Sequence, residues 1–403
     1  MKKRVLSVLL ITVIVSSIFT GCGKKESSVN VGNSNDVTVE VEKEEITEQN
    51  TEKEDSFIEN FTQELEDAEL FESKSDIASY EDVEELLGQE IASGVEVDGV
   101  KYRIYENGAE VSNTGTTISN VIKEEVEYEG NTYLVISMNC ELGYQDTESF
   151  EVPSHIKYIY PKITNTYAVK NITIPETVEY FIASSKGTAG GDSALESITF
   201  PDNLNTDKAW RDVFSYCYNL KSVIIPEGVE SLEETFKYCN SLESVSIPSS
   251  VKKICGNTFM DCFALSEVII PEGVEKIDSA FCGSSITSLS IPSSVKEFNL
   301  YIYSCNNLEE LIIPETVEVI SGRNEIDDCK NLKRIEINGG DPNSSCNLRV
   351  SDCPALETII CPDNISGLSI NNDDISNIVI YVPENKVDEF KEKYPEYNIV
   401  AKD

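Results

Sequence analysis

The chain has 403 residues, and its 72 acidic residues against 32 basic ones give a formal net charge of −40 at pH 7. This charge argues against nucleic acid as a partner, because binding to phosphates needs a basic surface. It disfavours direct adsorption to anionic lipid for the same reason.

The first 22 residues have the pattern of a bacterial export signal. A basic stretch at 2–4 precedes an apolar stretch at 5–18. The segment 19–22 (Phe-Thr-Gly-Cys) resembles a bacterial lipobox, and this resemblance implies cleavage before Cys22 and lipidation of that cysteine. We therefore predict a signal peptide at 1–21 and an extracytoplasmic protein that is lipid-anchored to the bacterial cell membrane. An ordinary secretory signal with an incidental cysteine is the alternative.

Two segments are predicted to lie between the anchor and the first β-structure. Residues 22–55 hold the anchor cysteine and a Ser-, Asn-, Thr- and Glu-rich stretch without apolar periodicity, which predicts a disordered acidic linker. Residues 56–90 have the spacing of short amphipathic helices, the second from Tyr80 to Leu87 with Gly88 at its end. We expect these helices to pack loosely on the next module. A partner-binding helix and a mostly disordered segment are the alternatives.

Residues 91–148 alternate apolar and polar side chains over several short runs, which predicts β-strands. The dipeptides Asp98-Gly99 and Glu129-Gly130 separate such runs and favour tight hairpin turns. We predict a β-rich N-terminal cap that covers the apolar end of the structure that follows.

Residues 149–380 repeat a unit whose prolines are mostly 21 to 26 residues apart. The unit reads L-x-x-h-x-h-P-x-x-V-x-x-h and then F-x-x-C-x-x-L, where h is apolar. The alternation before the proline predicts a short strand. One unit buries too little apolar surface to fold alone, so the units must stack, with their strands side by side in a parallel sheet.

This combination of residues resembles the BspA-type leucine-rich repeats of bacterial surface proteins. The resemblance implies a curved solenoid used for protein or glycan contact, and it supplies no catalytic motif. We therefore predict a repeat solenoid with turn or short helical returns, preceded by a β-hairpin capping module and a disordered acidic stem. Residues 381–403 are predicted to form a C-terminal cap, with a short helix at Val387, Phe390 and Tyr394 covering the last strand edge.

In successive units, the residue after the recurring valine is alternately negatively and positively charged. In a stack of coils, each lysine of this column would lie between two glutamates. The column consists of Glu230, Lys252, Glu275, Lys296 and Glu318.

Half of the 12 cysteines occupy one position of the repeat. We predict a structural column of buried thiols, because free cysteine packs as a small apolar residue. Scattered disulfides and a metal site are the alternatives, although no C-x-x-C pair supports a zinc site. The column consists of Cys217, Cys239, Cys262, Cys305, Cys329 and Cys353. Four further cysteines lie off the column: Cys255, Cys282, Cys346 and Cys361.

Little in the chain indicates catalysis. The single histidine, His155, makes a Ser-His-Asp triad improbable and is expected at the surface. The single tryptophan, Trp210, is expected to pack in the core or in a loop, with a binding hot spot as the alternative. We predict no enzyme, no cofactor and no metal.

The outward residue of each predicted strand points to the open face of the sheet. Ile224, Ile269 and Ile312 alternate there with Ser246 and Ser290, and we call these five residues the isoleucine row. Exposed isoleucines in a row can mark an interface. Strand propensity, or cover from the next segment of each coil, would also explain them. The full set of outward residues is Thr173, Thr199, Ile224, Ser246, Ile269, Ser290, Ile312 and Glu336.

The sequence thus favours a non-catalytic, lipid-anchored repeat protein that makes extracellular protein or glycan contacts, with no nucleic acid partner. The alternative is a substrate-capture or structural subunit of a surface complex or transport system, recruited through the acidic stem.

Overall fold

The computed structural model describes residues 80–113, 122–140, 147–160, 168–183, 194–202 and 204–402. The predicted signal peptide, the lipidation site, the linker and the first predicted helix (56–72) lie outside the described residues. Across the described part, the chain forms a parallel β-solenoid of about 12 turns, which confirms the predicted fold.

A short helix and five strands precede the coils. These elements are α1 (Tyr80–Leu87), β1 (Glu90–Val97), β2 (Val100–Tyr105), β3 (Gly108–Asn113), β4 (Glu125–Tyr128) and β5 (Asn131–Met138). The coils then contribute β6 (Ser149–Glu151), β7 (Tyr158–Ile159), β8 (Asn171–Thr173), β9 (Tyr180–Phe181), β10 (Ser197–Thr199), β11 (Asn205–Thr206), β12 (Ala209–Arg211), β13 (Ser222–Ile224), β14 (Ser231–Glu233), β15 (Ser244–Ser246), β16 (Lys253–Cys255), β17 (Lys276–Asp278), β18 (Glu297–Tyr303), β19 (Glu310–Ile313), β20 (Val319–Asp327), β21 (Arg334–Ile337), β22 (Cys346–Ser351), β23 (Thr358–Ile360), β24 (Ile365–Asn371) and β25 (Val379–Val382). The chain ends in a 3-10 helix (Glu384–Lys386), α2 (Val387–Lys393) and β26 (Asn398–Ala401).

Both predicted hairpin turns form before the first coil. Asp98 and Gly99 have φ of 49° and 82°, and Glu129 and Gly130 have φ of 50° and 83°. Positive φ at both central residues matches the twist of antiparallel strands. Accordingly β1 pairs with β2, and β4 with β5, in antiparallel registers. Strand β5 then pairs in parallel with β7, so the hairpin module is continuous with the first coils.

The helix α1 covers a small apolar cluster that is separate from the main core. Val83 and Leu87 are fully buried in this cluster, together with Tyr105, Tyr158 and Tyr180. The helix ends as predicted at Gly88, which has φ of 82° and whose N–H donates to the Glu84 carbonyl at 3.0 Å. Residues 80–87 are therefore part of the folded unit.

The coils form two faces, of which the sequence analysis predicted only one. The first face holds the predicted strands before the prolines, in the ladders β15-β13-β10-β8-β6 and β19-β21-β23-β25-β26. The second face holds strands at the V-x-x-h segment. These strands belong to two sheets: one ends in β7-β9-β11, and the other has the order β12-β14-β16-β17-β18-β20-β22-β24. The second-face strands up to β17 are only two or three residues long, which is too short to show a period-2 pattern.

The parallel sheet of the first face is interrupted, which corrects the expectation of a continuous ladder. Within the described residues, segments 268–270 and 289–291 form no strand and have no backbone hydrogen bond to an adjacent coil. Between these two segments in the chain lies the corner from Phe281 to Ile286, which is one residue shorter than the corner from Phe259 to Leu265. The second face stays paired through these coils, from β14 to β18.

The interior of the coils is built from columns of like side chains. Four phenylalanine rings stack with centroid distances of 5.6, 5.7 and 5.6 Å between successive coils. Each fully buried ring contributes roughly 2–3 kcal/mol, and it can do so only when neighbouring coils cover it. The four rings belong to Phe214, Phe236, Phe259 and Phe281.

The C-terminal cap closes the two faces by different means. Helix α2 buries Phe390 completely. The hydroxyl oxygens of Tyr394 and Tyr397 accept the N–H groups of Leu368 and Ile370, at 3.0 and 3.1 Å, along the edge of β24. On the first face, however, the last strand is β26, which pairs with β25 and is itself the edge. The predicted helix therefore covers the edge of the second face and not that of the first.

The alternating charge column forms in the stack, but its side chains are ion-paired only in part. Lys296 Nζ lies 3.1 Å from Glu318, but among the described residues Lys252 forms no ion pair and instead donates to the Gly273 carbonyl at 3.4 Å. The predicted position of each lysine between two glutamates is confirmed by the backbone: the Lys252 N–H donates to the Glu230 carbonyl at 2.7 Å, and the Glu275 N–H donates to the Lys252 carbonyl at 2.8 Å. Within the column, the charges nevertheless form an ion pair only at Lys296, among the described residues. Exposed pairs of this kind contribute at most about 1 kcal/mol and do not fix side-chain positions.

Candidate functional site

The outward positions of the first face present exposed apolar side chains. Ile224 is 72% exposed, Ile269 is 76% exposed and Ile312 is 40% exposed. Their neighbours in the strands point inward, because side chains alternate along a strand. Val223 and Ile225 are buried on either side of Ile224, as are Val268 and Ile270 on either side of Ile269.

The serines of the isoleucine row lie between the isoleucines in successive coils. Ser246 pairs with Ile224 in the parallel register of β13 and β15, and both Ser246 and Ser290 are exposed. Ile269 and Ser290 lie in the two segments that lack ladder bonds. The row therefore crosses the break in the first face.

The same outward position continues beyond the residues that sequence reasoning selected. Glu336 pairs with Ile360, Ile360 with Tyr381, and Tyr381 with Val400 in consecutive parallel registers. Val400 is 38% exposed, and Ile360 and Tyr381 are partly exposed. For Ile360, the fixed offset from Leu356 was a signal that could have found it.

At the other end of the face, the outward position is polar. Thr173 and Thr199 are exposed and pair with each other in the register of β8 and β10. The apolar character of the face therefore begins at Ile224.

The six column cysteines lie in the interior, and every one is a thiol that is 0% exposed. The Sγ atoms of Cys239, Cys262 and Cys305 donate to the carbonyl oxygens of Phe214, Phe236 and Phe281, at 3.1, 3.2 and 3.1 Å. Each of these three thiols thus fills a small site and also binds the coil before it.

Burial favours the protonated form of two of these thiols, Cys239 and Cys262. It raises the pKa of Cys262 to about 12 and that of Cys239 well above its ordinary value. A thiol that does not ionise is a poor nucleophile and a poor metal ligand.

One member of the column was missed in the sequence because it is not a cysteine. Ser284 is 1% exposed, and its hydroxyl lies 4.0 Å from the Cys305 sulfur. It occupies the shortened corner between the coils of Cys262 and Cys305. The serine three residues after Phe281 was the available signal.

Cys140 and the four cysteines named above as lying off the column are also thiols. Cys282, Cys346 and Cys361 are buried, whereas Cys255 is partly exposed in β16. Burial raises the pKa of Cys361 to about 12 and that of Cys346 to about 11.

The single tryptophan and the single histidine differ in how deeply they are buried. Trp210 is fully buried, as expected for a core residue, and its Nε1 donates to the Thr206 hydroxyl at 2.9 Å. His155 is partly buried, and burial lowers its pKa, so the expectation of a simple surface residue is wrong.

Neither a metal site nor a membrane-spanning helix is found in the part of the chain that the structure describes. No group of three or more His, Cys, Asp or Glu residues there is arranged to hold a metal ion. No helix among the described residues is both long and apolar enough to cross a membrane.

Comparison with known proteins identifies one family. The model described as "BspA type Leucine rich repeat region (6 copies)" matches residues 135–235 and 233–344. No curated protein matches the chain.

Several solved structures are similar to this one. A leucine-rich repeat protein from Bacteroides ovatus is 19% identical over 77% of this chain and 100% of its own, with a TM-score of 0.46. A leucine rich cell surface protein from Faecalibacterium prausnitzii is 19% identical over 78% of this chain and 95% of its own, with a TM-score of 0.45. The leucine-rich repeat protein of T. pallidum is 17% identical over 53% of this chain and 90% of its own, with a TM-score of 0.34.

Proposed function

Since the chain belongs to the BspA-type leucine-rich repeat proteins, we propose that it is a non-catalytic, lipid-anchored scaffold on the cell surface that binds an extracellular protein or glycan. The observation that carries this proposal is the isoleucine row, in which two side chains are more than 70% exposed. Exposed apolar side chains that recur on one face of a soluble protein can mark an interaction site, and these isoleucines recur at every second coil. The solenoid supplies the rigid support that such a contact surface needs.

Photo-cross-linking tests where the partner binds. A photoreactive side chain at Ser246 lies between two isoleucines, whereas one at Lys253 is exposed on the second face close by in sequence. We expect a cross-linked extracellular partner from the Ser246 variant and none from the Lys253 control. Cross-linking from Lys253 alone, or from neither position, would contradict the proposal.

The anchor is tested separately. We propose that Cys22 carries the lipid, because residues 19–22 resemble a lipobox after an export signal. Cys22→Ala should move the protein from the membrane fraction to the medium. Retention of the variant in the detergent phase, with unchanged mobility, would contradict lipidation.

A further inference from the structure

The first face ends at the C-terminal side in β26, whose outer edge has no described strand beside it. Strand β26 pairs with β25 through four consecutive registers without a shift, so its free edge is straight and as long as β25 itself. Asn398, Val400 and Ala401 are exposed, whereas Ile399 is buried. An exposed edge of this kind is a template for pairing with another strand.

The hydrogen bonds between β26 and β25 identify the backbone groups that point outward. The Lys402 N–H donates to the Val382 carbonyl at 2.8 Å, so Lys402 faces β25. Because backbone groups of successive residues alternate in direction along a strand, Ile399 and Ala401 point away from β25. The Ile399 N–H donates to the Tyr397 carbonyl at 3.1 Å. Within the described residues, the Ile399 carbonyl and the Ala401 N–H and carbonyl form no hydrogen bond.

Both ends of the second face are protected against such pairing. Strand β1 ends its sheet at the N-terminal side and has two register shifts, a device that turns an edge away from other strands. The β24 edge at the other end is occupied by the hydroxyls of Tyr394 and Tyr397. Strand β26 has no register shift and no proline, and no described side chain is bonded to its outward backbone groups.

A second copy of the same edge matches β26 when the two strands run antiparallel. With Val400 on a two-fold axis, the Ala401 N–H of each copy reaches the Ile399 carbonyl of the other copy. This register places Asn398 opposite Lys402, so no two like charges face each other across the strands. The two Val400 side chains, each 38% exposed before pairing, cover each other on the outward side.

Other occupants match this edge less well. An α-helix uses its backbone groups internally and offers none to the Ala401 N–H and carbonyl. Strand β1 of a second copy is bulged and cannot follow a straight edge. The strand of a different protein would use the same backbone groups, and cross-linking distinguishes it from a second copy.

We propose that two copies of this chain associate by antiparallel pairing of their β26 edges about a two-fold axis at Val400. The pairing joins the two C-terminal first-face sheets into one and brings the outward residues Tyr381 and Val400 of both copies into one line. A four-residue edge is smaller than a permanent interface, so the dimer is weak. At about 0.15 M salt, repulsion between the two net charges of −40 is screened beyond about 8 Å.

Disulfide trapping with the full chain in detergent tests the inference. In a non-hydrogen-bonded antiparallel pair the Cα atoms are about 4.5 Å apart, a separation that a disulfide can span. Val400→Cys should therefore give a covalent dimer on mild oxidation. Asn398→Cys is the matched control, because its two introduced thiols would lie about 14 Å apart along the strands and should give at least about tenfold less dimer. The wild type sets the background from the native thiols.

A second substitution tests the hydrogen bonds of the pairing. Ala401→Pro, added to Val400→Cys, removes an N–H that points away from β25, and we expect at least about tenfold less covalent dimer with an unchanged circular dichroism spectrum. Ala401→Ser in the same background keeps the N–H and should keep the dimer.

The outcomes are independent of the proposed function. Absence of a covalent dimer from Val400→Cys, or equal yields from Val400→Cys and Asn398→Cys, would overturn the inference. Oxidation of intact cells that joins Val400→Cys to another protein, with no dimer formed, would assign the edge to that protein's strand and would overturn it as well. Cross-linking from Ser246 tests the isoleucine row in every case.

Discussion

At the scale of single residues, the cysteine column shows why a thiol recurs at one repeat position. The position admits a small side chain, and the Sγ–H of Cys239 reaches the Phe214 carbonyl of the preceding coil at 3.1 Å. Ser284 shows that a hydroxyl is accepted at this position, but its Oγ donates to the Phe281 carbonyl of its own coil at 2.6 Å and not to the coil before it. A larger apolar residue would keep neither the space nor the hydrogen bond.

Substitutions at Cys239 should follow this order. Cys239→Ser should cost about 1 kcal/mol of the free energy of unfolding, because the donor is kept but a more polar group is buried. Cys239→Leu should cost about 1–3 kcal/mol or more through overpacking. Urea denaturation followed by circular dichroism measures both, and a leucine variant as stable as the serine variant would contradict the packing described.

A second residue-scale feature is the carboxyl group of Asp207. Burial raises its pKa from the ordinary 3.8 to about 6, and the Tyr180 hydroxyl donates to its Oδ1 at 3.2 Å. The folded state therefore binds an additional proton between about pH 4 and pH 6. This contribution to stability is fully present below about pH 4 and is lost as the pH rises through 6.

Asp207→Asn should remove that dependence while keeping an acceptor for Tyr180. After allowance for partial exposure, we expect the free energy of unfolding of the variant, measured relative to that of the wild type, to be roughly 1 kcal/mol higher at pH 7 than at pH 4. Thermal unfolding of both proteins at the two pH values measures the difference. A constant difference between them at both pH values would contradict the raised pKa.

At the scale of elements, the C-terminal cap satisfies a sheet edge with side chains. The Tyr394 and Tyr397 hydroxyls accept two N–H groups of β24 that have no strand beside them. Two lysines add to this edge: Lys386 donates to the Ile365 carbonyl, and Lys393 Nζ donates to the Ser366 carbonyl at 3.1 Å. The cap thus blocks further strand pairing on the second face.

Removing both hydroxyls should loosen this edge. Tyr394→Phe with Tyr397→Phe should cost about 1 kcal/mol per lost hydrogen bond and speed amide exchange at residues 368 and 370. Tyr381→Phe, in the neighbouring β25, is the control. Unchanged exchange at 368 and 370 in the double variant would show that the hydroxyls do not protect the edge.

Sequence reasoning succeeded for elements whose signal is local. The turns at Asp98-Gly99 and Glu129-Gly130, the end of α1 at Gly88 and the first-face strands other than 268–270 and 289–291 depend on residue type and spacing. The second face was missed because its strands are defined by pairing with other coils, as Leu232 with Ile254. The break at Ile269 was missed because 268–270 and 289–291 have the same residue pattern before proline as the strands that do pair.

At the scale of the whole molecule, the two faces of the solenoid differ in their strand pairing and in the side chains that they expose. The second face remains paired through the middle coils, whereas the first face opens there and carries the isoleucine row. The row could be predicted because the repeat offset marks outward positions. Its extension to Val400 could not, since β26 follows the cap helix and only the pairing with β25 brings it into line.

The measurement that tests the account most directly is the affinity of the captured partner for the triple variant Ile224→Ser, Ile269→Ser and Ile312→Ser. Leu134→Ser is the control, because Leu134 is 57% exposed in the N-terminal cap. We predict that the triple variant loses at least tenfold in affinity, because covering each isoleucine contributes roughly 1 kcal/mol or more, and that the control binds as the wild type does. Equal affinity of the triple variant and the wild type would contradict the account.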